Sequence, residues 1–354
     1  MNNEQINSFG FSSLVLSLSS SAFYGTFSSY ILYKTKTDSF LTIIIGFIIS
    51  LILSKILLHL FNKYPNKSFY KRNKPNKPTC ILIIILSFFT YSLLSLRLST
   101  FLSNQYLINT PNYIILLMIL LITFYISLKG LETITRVSII TFFISISIFI
   151  FDFISLIPQI NIENYYPMFI TNVKDVLSTS LIFSIYFITP IFYLNSFKKN
   201  QIIDTHNFKK YYYLMLSTSL IIILINMLTT IGVSGISVNN LFDYPIYTTL
   251  KRIHLFSFLD SMENISIMLW ILFIINSCNI NLFFINNLLK ESFNLNKTKS
   301  FFINMVLLSI FFFTSLFIFN DGFIESYDYI FIPSIISSLL ILIQFLLNIK
   351  ERLT

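Results

Sequence analysis

Long apolar runs separated by short polar clusters make up nearly the whole chain. Blocks rich in Ile, Leu and Phe fall at 7–32, 39–61, 80–103, 111–129, 135–157, 177–197, 211–233, 264–288, 302–319 and 329–348. Each is close to the ~20 residues a helix needs to cross a hydrocarbon layer roughly 30 Å thick. Barrel strands would be about half that length and would alternate in polarity. The pattern therefore predicts an all-α membrane protein with about ten transmembrane helices, folded as a single polytopic membrane domain over residues 1–354.

Ten spans divide into two groups of five, 7–157 and 177–348. Because five is odd, the second group enters the membrane with the opposite orientation, which is the arithmetic of a five-plus-five inverted repeat. The first span contains SSLVLSLSSSAFYGTF at 12–27, with Ser19 to Ser21, Tyr24 and Gly25 where the bilayer is driest. The sixth contains Thr189-Pro190 at the corresponding depth, and broken helices 1 and 6 are expected there. A broken helix bares backbone groups that lipid cannot satisfy, so the break must face protein or a water-filled cavity. Ser20, Ser21, Tyr24 and Gly25 would then bind a ligand together with Tyr186, Thr189 and Pro190, with Tyr91 and Ser95, and Asn276 and Ser277, on neighbouring spans. The same serines and glycine also suit close helix packing, and the sequence leaves both readings open.

Composition agrees with the spans: 55% of the 354 residues are hydrophobic, 11% are charged, and mean hydropathy is +0.76. The net charge of +9 follows topology. Most Lys and Arg residues fall in the even connections and the C-terminal tail, above all in FNKYPNKSFYKRNKPNKPT. The odd connections hold Lys34, Lys36, Lys174, Lys251 and Arg252. That asymmetry places both termini in the cytoplasm. Contact with anionic membrane lipid accounts for the excess, and no nucleic-acid partner is implied. The first apolar block has no basic leader and no small-x-small cleavage pattern, so it is expected to remain as a span. Cys80 and Cys278 are too far apart to suggest a disulfide framework or a metal site.

Ionisable residues inside spans are functional candidates. Arg97 and Asp152 each lie about 24 Å from the inner end of their helices at the usual rise, near the outer interface. They either pair across spans 3 and 5 or extend separately to the interface, and Arg97 is also a ligand candidate; Lys55 extends to the cytoplasmic side. No carboxylate, His or Lys falls at a span midplane, so proton coupling has little support. His59, His206 and His254 sit at span ends or in loops, and no catalytic, metal or phosphate-cradling constellation exists. Neither an enzyme nor a cofactor is expected. Gly130 supplies a turn, and Glu132 with Arg136 has the i,i+4 spacing of an ion pair. Residues 246–262 have the periodicity of an amphipathic helix at the outer surface, as a gate or simply at the headgroups.

The segment NTPNYIILLMILLITFYISLKGLETITR at 109–136 resembles the spore germination permease family, through Thr110, Pro111, Lys129, Gly130, Glu132 and Arg136. A second similarity lies at 244–270, in Tyr244, Pro245, Lys251, Arg252, Glu263 and Trp270. Length and span count agree over the whole chain. The resemblance implies a branch of the amino acid, polyamine and organocation transporter superfamily, with the inverted repeat reached above by counting. It further implies the B subunit of a germinant receptor in the spore inner membrane. Such a subunit senses a small-molecule nutrient, such as an amino acid, with an A-type membrane subunit and a C-type lipoprotein as partners. The family's Gly-rich, proline-ended first helix is replaced here by SSSAFYG, so the ligand's identity does not carry over.

Overall fold

The structure, a computed structural model, describes residues 6–63, 77–189, 202–204, 206–239, 242–253, 263–293, 297–317 and 330–353. Helices occupy every expected apolar block. They are α1 (Ser8–Ala22), α2 (Ser28–Thr35), α3 (Ser39–Lys63), α4 (Lys77–Gln105), α5 (Asn112–Leu128), α6 (Leu131–Leu156), α7 (Val173–Ile188), α8 (Phe208–Ser234), α9 (Ile236–Asn239), α10 (Pro245–Leu250), α11 (Glu263–Phe293), α12 (Lys297–Phe317) and α13 (Phe331–Leu353). Among the described residues, five helical stretches are long and apolar enough to cross a membrane: Ser28–Ile56, Ile81–Gln105, Leu131–Gln159, Phe208–Ser234 and Glu263–Lys290. Asn112–Leu128, Met305–Leu316 and Phe331–Ile343 are shorter apolar helices.

Local chemistry sets the helix ends. The Asn7 side chain accepts from the Phe9 amide and starts α1, as short polar side chains do at helix N-termini. Gly130 adopts φ 95° between α5 and α6, a left-handed conformation that a Cβ would penalise. One helical turn on, Arg136 and Glu132 form the expected pair at 2.5 Å, both largely exposed. Ile6–Asn7 (β1) pairs in parallel with Ile202–Ile203 (β2), tying the segment before α1 to the segment before α8.

Small polar residues share the interior with apolar ones, and the outer faces are apolar. On α3 the exposed side chains Ile44, Ile48, Ile52 and Ile56 recur every four residues as a lipid-facing stripe. On α5, Leu117, Met118, Leu121, Ile122 and Tyr125 do the same. By contrast Ser12, Ser13, Ser17, Ser19, Ser20 and Ser21 of α1 are all buried. The first helix packs against α6, α8 and α11, while α3 lies along α7 and α4 along α11. In lipid, association gains nothing from burying apolar surface, so small residues and interhelical hydrogen bonds fill these seams.

Two expectations need correction in form. The first span does not unwind at Gly25; it continues through a π-helical turn, Phe23–Phe27, flanked by right-handed helical angles at Ala22 and Ser28. The sixth was expected over 177–197; its described helix begins earlier, at Val173, and runs to Ile188, and 190–197 lie outside the described residues. Pro190 lies outside the described residues, as do the basic loop at 64–76 and most of the proposed outer amphipathic helix. Its first part forms α10.

Candidate functional site

The π turn is the local feature from which the site is built. An extra residue in the turn shifts the backbone bonding from i−4 to i−5, so that the Ser28 amide reaches the Phe23 carbonyl. Such turns often mark functional positions, because they redirect side chains without exposing the backbone. Here the turn sends Tyr24 and Phe27 to different neighbours. The Tyr24 ring stacks on Phe273 of α11 at 6.4 Å and meets Trp270 edge-on at 6.1 Å. Its hydroxyl accepts from the Asn226 side-chain amide of α8 at 2.6 Å. The Phe27 ring packs on Tyr186 of α7 at 4.4 Å, and the Tyr186 hydroxyl donates to the Ile330 carbonyl at 3.1 Å.

Beside Tyr24 lies a cavity of about 40 Å³, walled by the π turn, α6, α8, α10 and α11. By volume it has room for a few waters. Its polar groups include Tyr24, Asn226, Ser145, Ser266 and Asp152; its apolar walls include Phe149, Ile222, Ile267, Trp270 and Phe273. One Asp152 oxygen accepts from the Ser266 hydroxyl at 2.7 Å. Tyr247 and Leu250 of α10 close the cavity from the loop side. That segment is pinned by Ser234 to Thr249 at 3.2 Å and by the Arg252 guanidinium donating to the Val233 carbonyl at 2.9 Å. Phe101 of α4 packs against Tyr244, Tyr247 and Trp270 at 5.0, 5.2 and 4.7 Å.

The structure separates the residues expected at the ligand. Tyr24 lines the cavity, and Gly25 lies in the π turn beside it. Ser21 bonds Ser277 at 2.5 Å, and Asn276 donates to the Ser17 hydroxyl at 3.0 Å, closing the α1–α11 seam. Ser19 does the same toward Ser219 of α8 at 2.6 Å. These serines are used for helix packing, the second of the two readings left open by the sequence. Ser20 is buried, and its hydroxyl has no hydrogen-bond partner among the described residues. Tyr91 bonds Thr123 at 2.6 Å and packs on Phe311 at 4.3 Å, within the α4–α5–α12 cluster. Ser95 bonds back to Ser92 within α4. Thr189 bonds back to the Tyr186 carbonyl at 2.7 Å at the end of α7.

Among the residues given structural or gating roles, Gly130, Glu132 and Arg136 form the α5–α6 corner, with Gly130 buried and the ion pair at the surface. Arg97 and Asp152 do not pair. Asp152 takes Ser266, while Arg97 lines a second crevice with Leu98, Phe101, Tyr244, Trp270 and Ile274. Glu263 opens α11 with one carboxylate oxygen buried and without a hydrogen-bond partner among the described residues. Sequence reasoning passed over Asn226, Ser266 and Tyr247 and gave Asp152 no place in the cavity. The signal for Asn226 was present, since an amide inside LIIILINML demands a partner in lipid.

Comparison with curated proteins returns no match. A family model described as spore germination protein matches residues 6–324, most of the chain. Together with its apolar helices this makes it an integral membrane protein of spores, a germination-related member of the permease class. The chain belongs to the spore germination protein family.

Proposed function

We propose that this chain is the nutrient-sensing membrane subunit of a germination receptor in the spore inner membrane, with both termini in the cytoplasm. An A-type membrane subunit and a C-type lipoprotein read its state. The observation that carries the proposal is the polar cavity closed on one side by Tyr24 of the π turn. A ligand there touches the same turn that holds Phe27 against Tyr186, so occupancy can favour one arrangement of the turn over another. The chain performs no covalent chemistry. Two pairings support the five-plus-five architecture: α1 with α8 and α3 with α7 exchange when the two halves are swapped.

The test uses spores in which this chain is replaced by Tyr24→Ala, challenged with a panel of amino acids and nucleosides. The nutrient response recorded with the unaltered chain should disappear, with the variant still present in the membrane fraction. An unchanged response would remove the cavity from the mechanism.

One observation favours a transporter instead: Asp152 is a buried carboxylate within a span, the kind of group that marks a transport pathway. Uptake of the active nutrient by liposomes holding the purified chain alone would establish that reading, and saturable binding without flux would exclude it.

A further inference from the structure

We infer that residues 157–172, the connection between α6 and α7, form a strap that holds the loop-side wall of the cavity against the first span and so regulates access to it. This rests on the sensing reading above and names the regulation of that site. The strap is fastened in two places, and each lies on a different side of the cavity.

Its first half grips α8 and α10. The Asn161 amide and the Asn164 side-chain amide both donate to the Gly232 carbonyl, at 2.9 and 2.7 Å, and the Tyr165 hydroxyl donates to the Leu228 carbonyl at 2.9 Å. The Gln159 side-chain amide donates to the Arg252 carbonyl, just beyond α10. Gly232 lies in the last turn of α8, where carbonyls have no partner within the helix, so the strap supplies what the helix end lacks. Glycine is required for this approach: a Cβ at 232 would overlap the Tyr165 hydroxyl and come within 2.9 Å of the Ile160 side chain. The anchors adjoin the cavity wall, because Leu228 closely follows Asn226, Arg252 closely follows Leu250, and both Asn226 and Leu250 line the cavity.

The second half grips the other side. Thr37 donates to the Pro167 carbonyl, Asp38 accepts from the Phe169 and Thr171 amides, and the Thr171 hydroxyl donates to the Thr35 carbonyl. Thr35 ends α2, which follows the π turn carrying Tyr24. Only Tyr166 separates the Tyr165 anchor from Pro167, so at most ~7 Å of chain joins the two sides. That leaves no slack for α10 and the end of α8 to move away from α2 while both halves hold. Asn161, Ile162, Glu163 and Tyr166 are exposed, and a segment held by hydrogen bonds with little apolar burial releases at lower cost than the spans unfold. The strap is thus the part of the wall that can let go.

Trp270 is the single tryptophan of the sequence and stands in the cavity wall, 9% exposed, so acrylamide quenching of its fluorescence reads opening directly. The full-length chain in lipid nanodiscs is compared with Gly232→Ala, which wedges the first half away, and with Asp38→Ala, which frees the second. Alanine suits a helix better than glycine, so the first variant leaves α8 intact. In each, hydrogen–deuterium exchange along the freed half should rise about tenfold or more, and Trp270 quenching should rise several-fold. Faster exchange with unchanged quenching in either variant would overturn the strap, and so would unchanged exchange in both. If Gly232→Ala fails to fold, Asn164→Ala takes its place: it removes the side-chain bond to Gly232 and should raise both readouts in the same direction. Neither readout needs nutrient, so the sensing reading is tested apart from the strap, by the Tyr24→Ala spores. Raised quenching alongside spores that still respond would uphold the strap and reject the sensing reading; unchanged quenching alongside unresponsive spores would do the reverse.

Discussion

Asp38 makes the sharpest energetic prediction. It sits between α2 and α3, only 1% exposed, and its two carboxylate oxygens accept from the Phe169 and Thr171 amides at 2.6 and 2.9 Å. Around it, Thr37 donates to the Pro167 carbonyl at 2.8 Å, and the Thr171 hydroxyl donates to the Thr35 carbonyl at 3.0 Å. Hydrogen bonds to a charged acceptor contribute about 1.5–3 kcal/mol each. The Phe169 side chain is exposed and water can replace part of the loss at the amides, so Asp38→Ala should weaken local closure of the 166–171 loop by about 3 kcal/mol. That corresponds to roughly a hundredfold faster amide exchange, read by hydrogen–deuterium exchange on the reconstituted protein. Asp38→Asn keeps one acceptor oxygen and should fall between. If exchange at Phe169 and Thr171 rises less than about fivefold in the Ala variant, the carboxylate does not hold this loop.

Other expectations follow from contacts of the same kind. Phe27→Leu removes an aromatic pair worth about 0.5–1.5 kcal/mol; ligand titration through Trp270 should stay near the unaltered value, while germination on nutrient slows several-fold. The Tyr165 hydroxyl donates to the Leu228 carbonyl at 2.9 Å, and burial raises its pKa above the ordinary phenol value. Only the neutral phenol donates, so this anchor is intact below about pH 10 and is lost as pH rises through the higher folded-state value. Tyr165→Phe should abolish that alkaline step in loop exchange. Gly130→Ala places a Cβ at φ 95° and should cost about 1–2 kcal/mol, measured by thermal unfolding in detergent. Arg136→Ala breaks an exposed pair only, so the same assay should register a change below about 1 kcal/mol.

The spans were legible because lipid imposes one simple constraint: a spanning backbone must bond within a helix or a closed barrel, and runs of ~20 apolar residues announce the helix. The Gly130 corner and the Glu132–Arg136 pair were legible for a similar reason, both being local in sequence. The site was harder to read. Ser17, Ser19 and Ser21 face three different partners, and nothing along the chain distinguishes a hydroxyl that closes a seam from one that faces a cavity. Tyr24 was identified, but the side of α1 it faces depends on the π turn, whose extra residue rotates everything beyond it. Asp152 and Ser266 are more than a hundred residues apart, and their meeting is a product of tertiary packing. Asp38 was missed because an acidic residue at a span end is ordinary until the loop it holds is seen.

The first span is fastened at both ends, by the β1–β2 ladder before Ser8 and by the Asp38 clamp beyond Thr35. A rod gripped in this way cannot slide to absorb a change of winding in its middle. If the π turn tightens by one residue toward ordinary α geometry, the surplus has to be released as torsion. The side chains of the turn itself would swing furthest, and Phe27 would carry that twist into α7 and onward to the start of α13.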